Sequence, residues 1–331
     1  MKRKPSITIL LYSVLFLPLN GQDLFEQSND LLVQEIDETY RKGLGFLAES
    51  QEESGCWSDS SYGSQPGVVG TAILAFLARG DDPEFGPYCL HLKRAMGFLL
   101  KQQNQKTGYI GNSMYNHGFA TLALAEAYGL TNDLRLGPAL EKATKLIISS
   151  QKSNSKGGWR YSPESQDADT TVSGAQLIAL FAARNAGIKV PQEAIDKGKA
   201  FLLSCQDSSG GFGYTTASGA NLPRSAIGSL ILSLAKDTNT DAYRNSIDYL
   251  KKNSLFGDQG HKFYSLYYTS QAMFRASPSM WNSWNYQNFK RLQSTQTENG
   301  SWNGNYGKTF TTTAGLLSLA LNYRYLPIYE R

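Results

Sequence analysis

Residues 46–57 read Phe46-Leu47-Ala48-Glu49-Ser50-Gln51-Glu52-Glu53-Ser54-Gly55-Cys56-Trp57. An apolar stretch runs into a Gln, and then come a few polar residues, a Gly and an aromatic. The same order returns as Phe98-Leu99 to Gln103 with Gly108-Tyr109, and as Leu146-Ile147 to Gln151 with Gly157-Gly158-Trp159. It returns again as Phe201-Leu202 to Gln206 with Gly210-Gly211-Phe212, and as Leu292 to Gln296 with Gly300-Ser301-Trp302. Between those two, Tyr249-Leu250 to Leu255-Phe256-Gly257 is a degenerate copy that lacks the Gln. Self-similarity at a period of roughly 50 residues marks a supersecondary unit that buries its apolar face on its neighbours.

Each Gly-aromatic turn is followed by a second kind of segment: Val68 to Ala78, Phe119 to Tyr128, Val172 to Ala183, Ala226 to Ala235, Leu266 to Ala276 and Thr312 to Tyr323. These are apolar almost all round, with Gly, Ala, Ser and Thr interspersed, as suits a helix packed on several sides. The segments leading into each Gln differ. In His91 to Gln102, Leu92, Ala95, Phe98 and Leu99 share one face and Lys93, Arg94 and Lys101 lie opposite, which describes an amphipathic outer helix. Outer and inner helices alternating through six units give six α-hairpins, as an open solenoid or a closed ring. The lack of obvious polar caps at either end favours closure. The expected fold class is all-α, a single (α/α)6 toroid over residues 22–331.

The Gln-x-x-x-Gly-x-Trp element is complete at Gln51-Gly55-Trp57 and Gln296-Gly300-Trp302, with Phe212 replacing Trp after Gln206-Gly210. It resembles the QW repeat (prenyltransferase/squalene oxidase repeat) of squalene cyclases and protein prenyltransferase β subunits, from about residue 35 to the end. The resemblance implies the terpenoid-cyclase-like α/α toroid of that superfamily, with inner and outer rings of six helices each. It speaks to fold far more than to activity. Physically, a Gln at the end of an outer helix satisfies backbone groups left open there, and the aromatic stacks over it.

In such a toroid the inner helices begin at one end, so six helix N-termini surround one mouth. Polar residues near those starts include Asp59, Tyr62, Asn116 and Lys308. The candidate ligand-binding residues are Tyr115, His117, Trp159, Tyr161, Arg224, His261, Tyr264 and Tyr268, a set rich in aromatic faces that suit an apolar or sugar ligand. Asp167-Ala168-Asp169-Thr170-Thr171-Val172 resembles the Asp-rich motif Asp-x-Asp-Asp-Thr-Ala of squalene–hopene cyclases. That resemblance implies Asp169 as the acid that protonates an alkene and Asp167 as its partner, although Thr170 replaces the last Asp. Read from the residues alone, Asp169 is an N-cap for a helix starting at Thr170.

Other chemistry finds less support. The cyclases enclose substrate between two α-barrel domains, and this chain has material for one. A protein prenyltransferase needs Zn²⁺ held by Asp, Cys and His, yet no His lies near Cys205. His91, His117 and His261 are the only histidines, so no metal site and no cofactor are expected. The Cys-Gly-Glu-Gln of complement-type thioester domains, a toroid of the same kind, is absent because Cys56 is followed by Trp57-Ser58-Asp59. Asp59, Asp167 and Asp169 are the carboxylates available to a glycan-active enzyme.

Lys2, Arg3 and Lys4 precede an apolar run from Ile7 to Leu19 and the small, polar Asn20-Gly21-Gln22, the order of a secretory signal peptide over residues 1–21. The run is shorter than the roughly 20 residues that span a bilayer, so no transmembrane anchor is expected after cleavage. Without those three basic residues the net charge falls from +4 to near zero, which removes any bulk electrostatic reason to bind nucleic acid. With Cys56, Cys89 and Cys205 the cysteine count is odd, and the pairing stays open. The expectation is an exported, periplasmic or extracellular toroid, a noncatalytic binding or scaffold module for an apolar small molecule, peptide or glycan in the cell envelope. The alternative is a terpenoid-cyclase-like isomerase with Asp169 as general acid on a polyprenyl substrate.

Overall fold

The computed structural model describes residues 22–60, 62–254 and 261–330. The expected signal peptide and Leu255-Phe256-Gly257 of the degenerate unit lie outside the described residues. Among those described, the chain forms twelve α-helices and no strand beyond two isolated bridges. Six make an outer ring: α1 (Gln22–Ser50), α3 (Cys89–Gln102), α5 (Leu136–Lys152), α7 (Gln192–Ser204), α9 (Asp241–Asn253) and α11 (Pro278–Thr295). Six make an inner ring: α2 (Pro66–Ala78), α4 (Met114–Tyr128), α6 (Thr170–Asn185), α8 (Leu222–Leu234), α10 (Lys262–Ala276) and α12 (Lys308–Leu319). Each inner helix packs on the next, and α12 packs back on α2, so the ring is closed. The seam is held by Thr71 Oγ1 and Thr313 Oγ1 at 3.0 Å, and by an ion pair from Lys290 to Glu35 at 2.9 Å.

The division into rings follows from the side chains. Every residue of α2 is buried, as its unbroken apolar and small-residue sequence requires. Small residues set the inner spacing: a Cβ on Gly70 would stand 2.8 Å from the Phe119 carbonyl oxygen, so α2 and α4 approach as closely as they do only with Gly there. On α3 the buried stripe is Leu92, Ala95, Met96 and Leu99, at helical spacing. Phe98, expected on that face, sits at its margin and Met96 takes the inward position.

The recurring Gln does one job at five places. Gln103 Nε2 donates to the carbonyls of Gly108 at 3.1 Å and Ala139 at 2.8 Å, and Gln151 Nε2 to those of Gly157 and Ala194, both at 2.8 Å. Gln51, Gln206 and Gln296 repeat this with Gly55 and His91, Gly210 and Ala242, and Gly300 and Thr39. The amide therefore ties its own turn to the next outer helix, rather than satisfying the end of its own. The Gln296 bond to Thr39 is the one that joins the last hairpin to the first. Trp57, Trp159 and Trp302 are buried, and each donates Nε1 to a carbonyl of the helix before it: Leu47, Ile147 and Leu292, at 2.8 to 2.9 Å. At Gly55 φ is +93°, and a Cβ would meet the Arg94 carbonyl oxygen at 2.2 Å, which explains the Gly of the element.

At the C-terminal ends of the inner helices, the segment after α12 folds back over the ring. Leu326, Ile328 and Tyr329 are buried, the 3₁₀ turn Pro327–Tyr329 packs on α6, and Arg275 Nη2 donates to the carbonyls of Ile328 and Glu330. Glu126, near the end of α4, is 4% exposed and accepts from the Ile328 amide at 3.5 Å. Cys56, Cys89 and Cys205 are all unbonded thiols. No described helix is long and apolar enough to cross a membrane.

Candidate functional site

The first turns of all six inner helices converge on one open cavity of about 830 Å³. Local sequence sets each start. Ser113 Oγ accepts from the Asn116 amide, and Asn221 Oδ1 from the Arg224 amide at 3.1 Å, so short polar caps begin α4 and α8. Pro66 and Pro223 stand within the first turn of α2 and α8, where the missing N–H has no helical partner to lose. The walls carry the rings of Tyr62, Tyr115, Phe119, Tyr161, Tyr214, Tyr264, Tyr306 and Phe310. Between the rings stand the amides of Gln65, Asn112, Asn116 and Asn221, and the bases Arg224 and His261.

Five of the eight expected ligand-binding residues meet there: Tyr115, Tyr161, Arg224, His261 and Tyr264. The Tyr115 and Tyr264 hydroxyls share a short hydrogen bond, the Tyr161 and Tyr214 hydroxyls lie 2.7 Å apart, and the Tyr306 hydroxyl meets His261 Nδ1 at 2.7 Å. Burial raises the Tyr115 and Tyr264 hydroxyls, so both are neutral hydrogen-bonding groups at physiological pH.

Three expected residues stand elsewhere. His117 is fully buried: its Nδ1 accepts from the Ile110 amide at 3.1 Å, and its Nε2 faces the Ala143 carbonyl at 3.0 Å. These partners assign the proton to Nε2, and desolvation lowers the imidazole pKa to about 4, so it is a neutral tie between α4 and α5 and not an acid–base group. Trp159 is held under its turn by the indole bond to Ile147, and its amide donates to Ser173 Oγ. Tyr268, one turn past Tyr264, points into the packed core and is fully buried.

The carboxylates are committed to structure. Asp169 is buried, and Oδ1 accepts from the Thr171 amide at 2.8 Å, the Thr171 hydroxyl at 2.5 Å and the Val172 amide at 2.9 Å. It is the N-cap of α6. Arg160 pairs with Asp167 at 3.1 Å and with Asp169 Oδ2 at 3.5 Å. Burial nonetheless pushes the Asp169 carboxyl up, against the pull of the capping bonds and Arg160. Asp59 reaches across the seam and accepts from the amide and hydroxyl of Thr309, at 2.9 and 2.6 Å, capping α12. No Asp or Glu is among the described residues that line the cavity, and no cluster of three or more metal-ligating side chains occurs among the described residues.

The sequence reading passed over Gln65, Asn112, Asn221 and Tyr306 as lining residues. Gln65 and Asn221 carry a usable signal, since each stands just before a helix that opens with Pro in its first turn. Tyr306 is brought in by its loop and has no such signal.

A family model described as Domain of unknown function (DUF6288) matches residues 37–329. A search by sequence found no match among curated proteins. Among solved structures, the chain is similar to a type II terpene cyclase, MstE from Scytonema, at 15% identity and a TM-score of 0.60, covering 88% of this chain and 99% of that one. It is also similar to the GH76A α-1,6-mannanase of Salegentibacter sp. HEL1_6, at 10% identity and a TM-score of 0.65, covering 86% and 98%. Variants of the two are known in complex with geranylgeranyl dihydroxybenzoate and with α-1,6-mannotriose. These likenesses establish the shared α/α toroid.

Proposed function

This chain belongs to the DUF6288 family, and we propose that its toroid is an exported, noncatalytic binding module whose mouth holds a glycan. The observation that carries this reading is the lining itself: aromatic faces and neutral hydrogen-bonding groups, with no carboxylate among the described lining residues. Glycoside hydrolysis by the usual route needs two carboxylates flanking the bond, and proton-initiated cyclisation needs an acid that touches the alkene. Asp59 and Asp169 cap helices, and Asp167 is exposed in an ion pair with Arg160. An isoprenoid chain would also cover the polar edges of Asn112, Asn116 and Asn221 with apolar surface and take them out of water with nothing to offset the desolvation. Sugar hydroxyls bond to such amides and sugar C–H faces lie on tyrosine rings, so the same lining suits an oligosaccharide.

Titration calorimetry against an oligosaccharide panel, followed by mass spectrometry of the recovered sugar, tests this. The expected result is binding, intact sugar, and Asp169→Asn and Asp59→Asn affinities within about tenfold of wild type, or roughly 1.4 kcal/mol, in variants shown to fold. Cleavage or cyclisation of any ligand that stops in folded Asp169→Asn would overturn the proposal.

A further inference from the structure

At the mouth, Arg224 carries a charge that no carboxylate among the described residues compensates. Arg160 and Arg224 both approach the Tyr214 ring, with guanidinium carbons 5.2 and 5.7 Å from its centroid. Arg160 is balanced by Asp167 and Asp169. Arg224 has no carboxylate within ion-pair distance among the described residues. Its Nη2 donates to the neutral Gly219 carbonyl at 2.6 Å, and its buried Nε finds no acceptor. A half-buried guanidinium on a cavity wall, stripped of part of its water and given no counter-ion, favours an anionic group brought by a ligand. Planar guanidinium fits planar carboxylate, and the surrounding tyrosine rings and amides suit the sugar ring to which that carboxylate would be attached.

We infer that the mouth selects saccharides bearing a carboxylate, uronic acids, and that Arg224 is the residue that distinguishes them from neutral sugars. The inference rests on the glycan reading above and goes beyond it by naming the ligand's charge. A peptide carboxylate carries the same anion but offers no sugar face to Tyr115, Tyr161 and Tyr214, so it is the competing class in the test.

The experiment uses the chain in its folded form against an array of uronic-acid oligosaccharides of several linkages, their carboxyl-reduced neutral counterparts, and short acidic peptides. The expected result is at least tenfold tighter binding of one or more acidic sugars than of the matched neutral sugar, weakening as NaCl rises from 50 to 300 mM. Arg224→Gln should remove that preference, so that acidic and matched neutral sugars bind alike, while Arg224→Lys keeps part of it; unchanged thermal melting shows that both variants fold. If Arg224→Gln does not fold, the Lys variant and the salt dependence carry the test. Equal binding of acidic and neutral sugars would overturn the inference and leave the glycan reading standing. Binding of peptides alone, or of nothing on the array, would overturn both.

Discussion

Where the inner helices begin, Tyr62 and Tyr161 stand about half exposed around an open cavity, and Arg224 faces it with no carboxylate partner among the described residues. Where the same helices end, Leu326, Ile328 and Tyr329 fill the space, and the acidic Glu126 lies under them almost out of water. One ring of helices thus has a packed end and an unpacked one. The side chains at the packed end fill the space between the helices, as they do in a close-packed interior. Groups at the mouth are matched only in part, and the remainder is what a ligand would complete. On that contrast, substitutions at the packed end are expected to cost the toroid more stability than substitutions at the mouth.

Three measurements bear on that contrast. The largest effect is expected from Tyr329→Ala, which empties a fully packed site and should cost about 3 kcal/mol in urea unfolding. Tyr62→Ala at the mouth, 45% exposed, should cost less than about 1 kcal/mol. Equal costs would erase the distinction between the two ends.

A smaller effect concerns Glu126, whose carboxyl burial pushes up to about 8. A raised acid pKa means that the folded state holds the proton more tightly, so stability is greatest below the ordinary carboxylate pKa and is lost as pH rises through it towards about 8. Glu126→Gln removes that loss. The variant should be more stable than wild type at pH 8.5 by at least about 1 kcal/mol and nearly equal to it at pH 4.5, as read from thermal melts. A pH-independent difference would mean that Glu126 is hydrated and that the end is not packed.

A last pair of variants bears on the comparison at the mouth. Asp169→Ala removes the α6 cap and should cost about 1–2 kcal/mol, while Asp169→Asn, which still caps, should cost about 0.5 kcal/mol. Neither should alter ligand binding, because Asp169 stands behind Thr171 and does not line the cavity. Asp169→Asn that costs as much as Asp169→Ala would show the charge, and not the cap, to be its contribution.

Much of this architecture was legible in the order of residues. The Gln and Gly of five turns and the Trp of three announce themselves because their jobs are local or nearly so: a positive φ, a clip to the Gly carbonyl, and an indole bond ten residues or so back along the chain. Inner and outer helices separate because burial on all sides and burial on one side leave different patterns at the helical period. Tyr115, Tyr161, Arg224, His261 and Tyr264 were legible as cavity residues because every inner helix starts at the same end, so a position in the first turn, or for Tyr161 in the loop leading to it, is a position near the mouth.

His117 and Tyr268 lie on inner helices and yet face the packed interior, because the rotation of a helix about its axis depends on which neighbours pack against it, and Trp159, in the turn before α6, is drawn under that turn by its bond to Ile147. The role of Asp169 was likewise open. The same carboxylate beside the same threonines serves as acid or as cap according to whether its free oxygen meets a cavity or an arginine, and Arg160 stands there. What the sequence determined by itself is the helical hairpin and its packing on the next one, since those follow from contacts within one unit and with its neighbour, whereas closure joins the last hairpin to the first. Only the tertiary structure decided which polar groups at the mouth remain unmatched, because that depends on partners brought together from six hairpins at once.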